Sequence, residues 1–346
     1  MTGDGRGRVK CLVWDLDHTV WDGVLLEDGD VHLRPGVLET LRALDERGIL
    51  LSVASRNDHE VAMRRLTELG VADYFLAPQI TWGPKSVSVE AVAKSLNIGI
   101  DALAFIDDQP FELEEVAFAH PQVLCVHADT AAELPDRPEF TPRFRTEDAS
   151  RRREMYRSSE ARVRAEESFE GAGEEFLATL GMVFTIDRAQ VSDLQRAEEL
   201  TVRTNQLNST GATYSYEELE ALSASEDHLL LMAGLEDRFG SYGRIGLALV
   251  ETAGPEWRLK LLLMSCRVMN RGVGTVLLHH VMRLARENGA RLTAAFVPTD
   301  RNRVMYVTYR FAGFEETGRA GDALVLTAPD AEVPQPPPYL DLRIGG

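Results

Sequence analysis

Between residues 10 and 127, short apolar runs alternate with amphipathic stretches long enough for a helix, and no other feature restricts the fold as much. Parallel strands need a crossover of a dozen or more residues, usually a helix, so this alternation predicts an open parallel sheet covered by helices. The expected strands are 10–14, 49–54, 73–76, 102–106 and 123–127. After a charged, Pro-entered stretch the order changes. Strands are expected at 182–187, 228–235, 243–251 and 257–265, then a helix over 273–288, a strand over 291–297, a helix over 301–312 and a strand over 323–327. The expected division is therefore a parallel-sheet domain at 8–140, a helical connector at 141–181, a second α/β domain at 182–328 and a Pro-rich tail at 329–346. The tail is expected to be disordered around Pro334–Pro338.

Bulk properties agree with two globular domains. A chain of 346 residues exceeds one ordinary hydrophobic core, and 44% apolar residues suffice for two. A net charge of −18 builds no overall cationic surface and argues against a nucleic-acid partner. No apolar run approaches the roughly 20 residues that span a bilayer, so no membrane partner and a cytoplasmic location are expected. Three cysteines, Cys11, Cys125 and Cys266, are too few and too scattered for a disulfide framework or a zinc site, and each is expected to be a free thiol.

Chemistry concentrates where the expected parallel strands end. Asp15-Leu16-Asp17 follows the first apolar run, and a turn at the carboxyl edge of a parallel sheet can aim both carboxylates into the ligand crevice. Asp15 can then attack phosphorus while Asp17 protonates the leaving oxygen and later activates water. The pair would otherwise read as turn or cap aspartates. Ser55 follows the second strand and can bind a phosphate oxygen, or can simply precede a helix opened by Asn57 and Asp58. Lys85 in Gly83-Pro84-Lys85-Ser86 can neutralise a transferring phosphoryl group. Asp107-Asp108 closes the strand at 102–106, so more carboxylates converge and form a hard oxygen site suited to Mg²⁺. Massing these acids without a cation would be costly.

Asp15-x-Asp17-x-Thr19-Val20, Ser55, Lys85 and Asp107-Asp108 resemble the four motifs of haloacid dehalogenase (HAD) phosphatases, in order. The resemblance implies a HAD-like Rossmannoid sheet in which Asp15 is the nucleophile, Asp17 the acid/base, and Ser55 and Lys85 the phosphate binders. It also implies Mg²⁺ held by Asp15, the Asp17 carbonyl and Asp107, with Asp108 supporting the set. Fifteen residues separate Val20 from Gly36 and eight separate Leu76 from Lys85, so no large cap domain fits either gap. An open site of this kind favours a macromolecule-linked substrate or a second domain that excludes water.

The second domain resembles the GNAT acyltransferase fold. Arg271-Gly272-Val273-Gly274 matches most of its phosphate-binding loop, which implies phosphopantetheine binding by Arg271, Gly272 and Gly274; an ordinary tight turn also explains the glycines. Val276 stands where a small residue is usual, and is expected to narrow the approach of a phosphate to the helix start.

Over residues 9–326 the chain is similar to the FkbH-like family, HAD proteins with a GNAT-like partner domain from polyketide pathways. Lys10-Cys11-Leu12-Val13-Trp14-Asp15-Leu16-Asp17, Phe105-Ile106-Asp107-Asp108, Thr204-Asn205-Gln206-Leu207-Asn208, Asp237-Arg238-Phe239-Gly240 and Leu263-Met264-Ser265-Cys266-Arg267-Val268 carry that likeness. The chain departs from it at His18, usually Asn, and at Ala54-Ser55-Arg56-Asn57, usually Cys-Ser-Lys-Asn. Such proteins move the acyl group of 1,3-bisphosphoglycerate onto an acyl carrier protein and remove its phosphate, leaving a glyceryl thioester on the phosphopantetheine arm. The resemblance makes Cys266 the candidate acyl-holding nucleophile; the other reading of Cys266 is a small buried residue finishing a core strand, the reading adopted for Cys11 and Cys125. A rival reading keeps only a Mg²⁺-dependent HAD phosphatase acting on a carrier-bound acyl group, with the GNAT-like part as a non-catalytic docking domain. Arg143, Arg145, Arg151, Arg152 and Arg153 are the expected basic patch for an acidic carrier.

Overall fold

The computed structural model describes residues 9–204 and 206–345; Asn205 of the Thr204–Asn208 motif lies outside them. Two compact units divide after Arg157, inside the helix Arg152–Glu167, so the stretch expected to be a connector is shared between them.

In the first unit the strands are β1 Cys11–Trp14, β2 Trp21–Asp22, β3 His32–Leu33, β4 Leu50–Ser55, β5 Gln79–Ile80, β6 Leu103–Asp107 and β7 Leu124–His127. Five of them form a sheet in the order β5-β4-β1-β6-β7, every neighbouring pair parallel. Alternation along β1 shows why it is central. Leu12 and Trp14 pack into one apolar cluster with Val53 and Ile106, while Cys11 and Val13 pack into another with Val89, Val92 and Phe105. A strand buried on both faces reads as a continuous apolar run, which is what the sequence shows.

The expected strand at 73–76 does not form. Ala72–Tyr74 is a 3₁₀ turn, a single bridge joins Leu51 to Phe75, and the outer sheet position falls to Gln79–Ile80. Phe75 and Leu76 are buried all the same, so the apolar run recorded burial rather than strand pairing. Between Val20 and Gly36 lie only the β2–β3 pair and the short helix Leu25–Asp28. No inserted domain stands there or between Leu76 and Lys85.

The second unit's strands are β8 Met182–Arg188, β9 His228–Asp237, β10 Gly240–Glu251, β11 Glu256–Met264, β12 Arg291–Phe296, β13 Glu315–Ala320, β14 Ala323–Thr327 and β15 Leu340–Ile344. They form one sheet ordered β13-β14-β12-β11-β10-β9-β8-β15. Pairing is antiparallel except at β11–β12 and β15–β8. The helix Val273–Glu287 buries Val276, Leu277, Val281 and Ala285 in the same apolar cluster as Phe176, Leu180 and Leu262.

Two strands of the second unit escaped the sequence reading. β13 is exposed along its whole length and so has no apolar alternation to show. The Pro-rich tail, expected to be disordered, ends in β15, which adds to the sheet edge beside β8. Prolines cannot donate main-chain hydrogen bonds, but their carbonyls accept: Arg283 donates to the Pro334 carbonyl and Arg286 to that of Ala331. Val333 and Leu340 are buried, which gives the tail its apolar anchors.

Candidate active site

β4, β1 and β6 are adjacent in the first sheet, and each delivers a polar residue to the same carboxyl edge: Ser55, Asp15 and Asp107. Lys85 opens the helix Lys85–Ser95 that follows β5. Its Nζ lies 2.5 Å from Asp15 Oδ1 and 2.6 Å from Asp107 Oδ2, with all three side chains buried. Burial pushes the Asp15 carboxyl up to about 7, with Lys85 pulling down and Asp107 adding to the rise. Burial and the Asp107 charge also raise Asp108. For Lys85 burial acts downward, but the two flanking carboxylates outweigh it and hold the ammonium above its ordinary range.

Ligand oxygens of Asp15, Asp107 and Asp108 lie within 4.8 Å of one another. Asp108 Oδ1 is buried without a hydrogen-bond partner among the described residues. Three crowded carboxylates against one ammonium, one oxygen unsatisfied and two of the acids raised, have the demand that a hard divalent cation meets, so the set fits Mg²⁺.

The Asp17 carboxylate is outside that group. Trp21 Nε1 donates to Asp17 Oδ1 at 2.7 Å, the Leu25 amide to the same oxygen at 3.0 Å, and Asn57 Nδ2 to Oδ2 at 3.1 Å. Thr19 Oγ1 is 3.5 Å from Asp15 Oδ2, and the Gln109 amide donates to Asp107 Oδ1 at 2.8 Å. Trp21 and Asn57 were not singled out from sequence. Asn57 read as a helix opener, a task Asp58 performs by accepting from the Val61 amide. Trp21 had no signal beyond its apolar character.

Around the glycine turn of the second unit the residues are already committed. Arg271 is buried, pairs with Glu166 at 3.0 Å and lies over the Phe176 ring. Gly272 has φ +77, and a Cβ there would stand 2.8 Å from the Tyr339 hydroxyl; one on Gly274 would stand 3.3 Å from Met264. Val276 is buried in the core, so its bulk does not narrow the helix start as expected. β11 pairs with β12 only as far as Leu259. Beyond that, Leu207–Ser209 occupies its edge: Ser209 N donates to Leu262 O, Ser209 Oγ accepts from Leu262 N, and Leu207 O accepts from Met264 N. Asn302 closes the far side by donating to Asn208 O and Val297 O. Cys266 opens a 3₁₀ turn just after β11 and is part-exposed, whereas Cys11 is fully buried in β1. Arg267 Nε bonds Ser265 Oγ at 3.3 Å.

Of the basic patch expected at Arg143, Arg145 and Arg151–Arg153, Arg152 and Arg153 are taken up inside the first unit, while Arg143, Arg145 and Arg151 stay exposed. Arg152 is buried and donates to Gly48 O. Arg153 pairs with Asp45 at 3.0 Å, donates to Asp73 O and stacks on Tyr74, while Arg151 lies beside Glu147 and Glu154. Arg143 lies over Phe144. Of these arginines Arg152 alone is buried, and a main-chain carbonyl meets its charge, as a buried cation requires.

No helix is long and apolar enough to cross a membrane among the described residues. The family profile for haloacid dehalogenase-like hydrolases matches residues 14–117. Magnesium-dependent phosphatase 1 of Homo sapiens is 27% identical over 144 residues, 36% of this chain and 81% of the human protein. The N-terminal part of a Bacteroides fragilis protein, which contains a phosphatase domain and was solved with Mg, is 28% identical and covers 39% of each chain, with a TM-score of 0.34. The ribosomal-protein-S18-alanine N-acetyltransferase of Escherichia coli is 16% identical, covers 44% of this chain and 97% of its own, and gives a TM-score of 0.35. The family match and the acid-lined carboxyl edge make residues 14–117 a HAD-like hydrolase domain, followed in sequence by a second, mixed α/β unit.

Proposed function

We propose that the chain is a Mg²⁺-dependent phosphoryl-transfer enzyme with an acyl-transfer unit, which moves the acyl group of 1,3-bisphosphoglycerate to the pantetheine thiol of an acyl carrier protein and removes phosphate. The observation that supports it most is the bridging of Asp15 and Asp107 by the buried Lys85 ammonium, 2.5 and 2.6 Å away. Asp15 attacks phosphorus, the bond to the leaving oxygen breaks, and the Asp17 carboxyl gives that oxygen its proton. Water then attacks the aspartyl phosphate, Asp17 takes its proton, and phosphate leaves with Asp15 regenerated. Lys85 and Ser55 hold the phosphoryl oxygens. Asp15, Asp107, Asp108 and the Asp17 carbonyl would hold Mg²⁺, which when bound supplies charge neutralisation at the phosphoryl group.

In the same proposal the Cys266 thiol attacks the acyl-phosphate carbonyl and phosphate departs. The resulting thioester passes its three-carbon acyl group to the carrier thiol. Its part-exposed position at the end of β11 supports access. The committed state of Arg271, Gly272 and the β11 edge favours a second reading, in which the GNAT-like unit docks the carrier and only the phosphatase is catalytic. Incubation of a pantetheinylated carrier protein with enzyme, Mg²⁺ and 1,3-bisphosphoglycerate, followed by intact-protein mass spectrometry, decides between them. The first reading expects a hydroxylamine-sensitive adduct on the wild type, none on Cys266→Ser, and carrier acylation lost in that variant while phosphate release at Asp15 continues. An adduct that persists on Cys266→Ser moves the acyl site elsewhere.

A further inference from the structure

One cation at the carboxyl edge of the first sheet has no part in the chemistry above. Arg56 follows Ser55 directly, and its side chain is 40% exposed. Its NH1 lies 3.0 Å from Oε1 of Glu112, a residue of the helix Pro110–Ala119 that follows Asp107-Asp108. Its Nε donates to the carbonyl of Gly83, two residues before Lys85, at 3.4 Å. The arginine thus ties together the three loops that deliver Ser55, Lys85 and Asp107.

The manner of that tie is informative. An arginine paired with a carboxylate usually presents two parallel N–H groups to both oxygens. Here the pair is single-pronged: Glu112 is 3% exposed and its Oε2 is buried with no partner, while the Arg56 NH2 group has none among the described residues. The guanidinium is therefore held at two points with a donor edge left over, beside the segments that deliver Ser55, Lys85 and Asp107. Lys85 cannot serve a second anion, because Asp15 and Asp107 enclose it. Without Arg56 the edge presents an anionic substrate with mostly carboxylates.

We infer that Arg56, held in place by Glu112 and Gly83, is the specificity-determining residue that receives a second anionic group of the substrate, distinct from the phosphoryl group transferred at Asp15. The substrate class is a phosphorylated compound with a further phosphate or carboxylate a few bonds away. This rests on the phosphoryl-transfer reading of the site. Fixing the guanidinium in advance lowers the entropy lost on binding, so the effect lies in substrate affinity rather than in the chemical step.

The test compares propyl phosphate with 1,3-propanediol bisphosphate, which differ by one distal phosphate, using the full chain with Mg²⁺. Arg56→Gln should lower the ratio of kcat/KM for the bisphosphate over the monophosphate at least tenfold, through KM. Arg56→Lys should fall between, since it keeps the charge and loses the fork. Glu112→Gln, which loosens the hold, should lower the ratio by a few fold. A ratio unchanged in Arg56→Gln, whether both substrates suffer or neither does, overturns the inference. Calorimetric binding of 1,3-propanediol bisphosphate to Asp15→Asn reads the same contact without turnover, and the added Arg56→Gln change should weaken it about tenfold. If wild-type enzyme releases phosphate from neither compound yet this binding difference is found, the phosphoryl-transfer reading fails and the anion site stands; equal binding with and without Arg56 overturns the site itself.

Discussion

The carboxyl edge of the first sheet and the glycine turn of the second unit contain similar ingredients, namely a strand end, a helix start and a basic residue, yet their states differ. At the first, Asp15, Asp107 and Asp108 crowd one ammonium, and an oxygen of Asp108 is buried with no partner among the described residues. At the second, Arg271 has Glu166, the β11 edge has Leu207–Ser209, and Tyr339 stands over Gly272. A motif shows which residues are present; unmet electrostatic demand shows where something else must bind. On that measure the first site has the electrostatic demand of a cation site, and the second is satisfied by its own chain.

The sharpest attempt to break this contrast removes the nucleophile. Asp15→Asn is nearly isosteric but cannot form an aspartyl phosphate, so phosphate release should fall by about 10³-fold or more, roughly 4 kcal/mol of barrier, with the far-ultraviolet circular dichroism spectrum unchanged. Stripping Mg²⁺ with EDTA should cost wild-type turnover on a similar scale. Wild-type rates in either case would remove the first site from the mechanism.

The second unit has its own buried ion pair, and there the expected loss is stability. Arg162 Nε lies 2.7 Å from Asp237 Oδ2, both side chains buried, and the guanidinium sits 3.7 Å over the Tyr242 ring. Asp237 also accepts from the Tyr242 hydroxyl and the Phe239 amide. Asp237→Ala strands the arginine charge and should cost about 3–5 kcal/mol in denaturant unfolding. A change under about 1 kcal/mol would show that the network is not holding the unit together.

A pH series separates the two kinds of burial. Without metal, Asp15 titrates at about 7, above the value near 3.9 expected of an unfolded chain. Its protonated form therefore stabilises the folded state fully below pH 4, and that contribution is gone once pH has risen through 7. Asp15→Asn has no such titration. Its stability relative to wild type, both metal-free, should rise between pH 4 and 8 by roughly 2–4 kcal/mol, and Mg²⁺ should shrink the difference by favouring the ionised wild-type carboxylate. A difference flat with pH would mean that Lys85 already compensates the charge.

How far the sequence reached follows the same division. The buried strands of the parallel sheet were legible because both faces of β1 are apolar, and the acids at its edge were legible because such residues have no reason to end core strands together. Trp21 and Asn57, which hold Asp17, were not legible: their partner is distant in sequence or reached only through the fold of the loop. β13 has no apolar face, and the tail's prolines hid a strand that begins only after them. Charge runs misled most. Arg151–Arg153 read as a docking patch, but Arg152 and Arg153 serve Gly48, Asp45 and Asp73 within the first unit. A run of like charges reports composition, while the fold decides which members face water.

The smallest expected effect bears on the comparison most directly. Arg271 is the one residue of the glycine turn that could both hold the fold and grip a ligand phosphate, and its partner Glu166 is about half exposed. A pair with one solvent-facing member contributes little, so Arg271→Met should cost only about 1 kcal/mol in denaturant unfolding, part of it lost packing on Phe176. If the guanidinium is committed to Glu166, the affinity of the second unit for 4′-phosphopantetheine, read by calorimetry, should change less than twofold. A tenfold loss would mean that Arg271 leaves Glu166 for the phosphate on binding. Glu166→Gln settles the same point from the other side: it releases the arginine, and tighter phosphopantetheine binding in that variant would show a ligand site held shut by an internal carboxylate rather than a turn complete in itself.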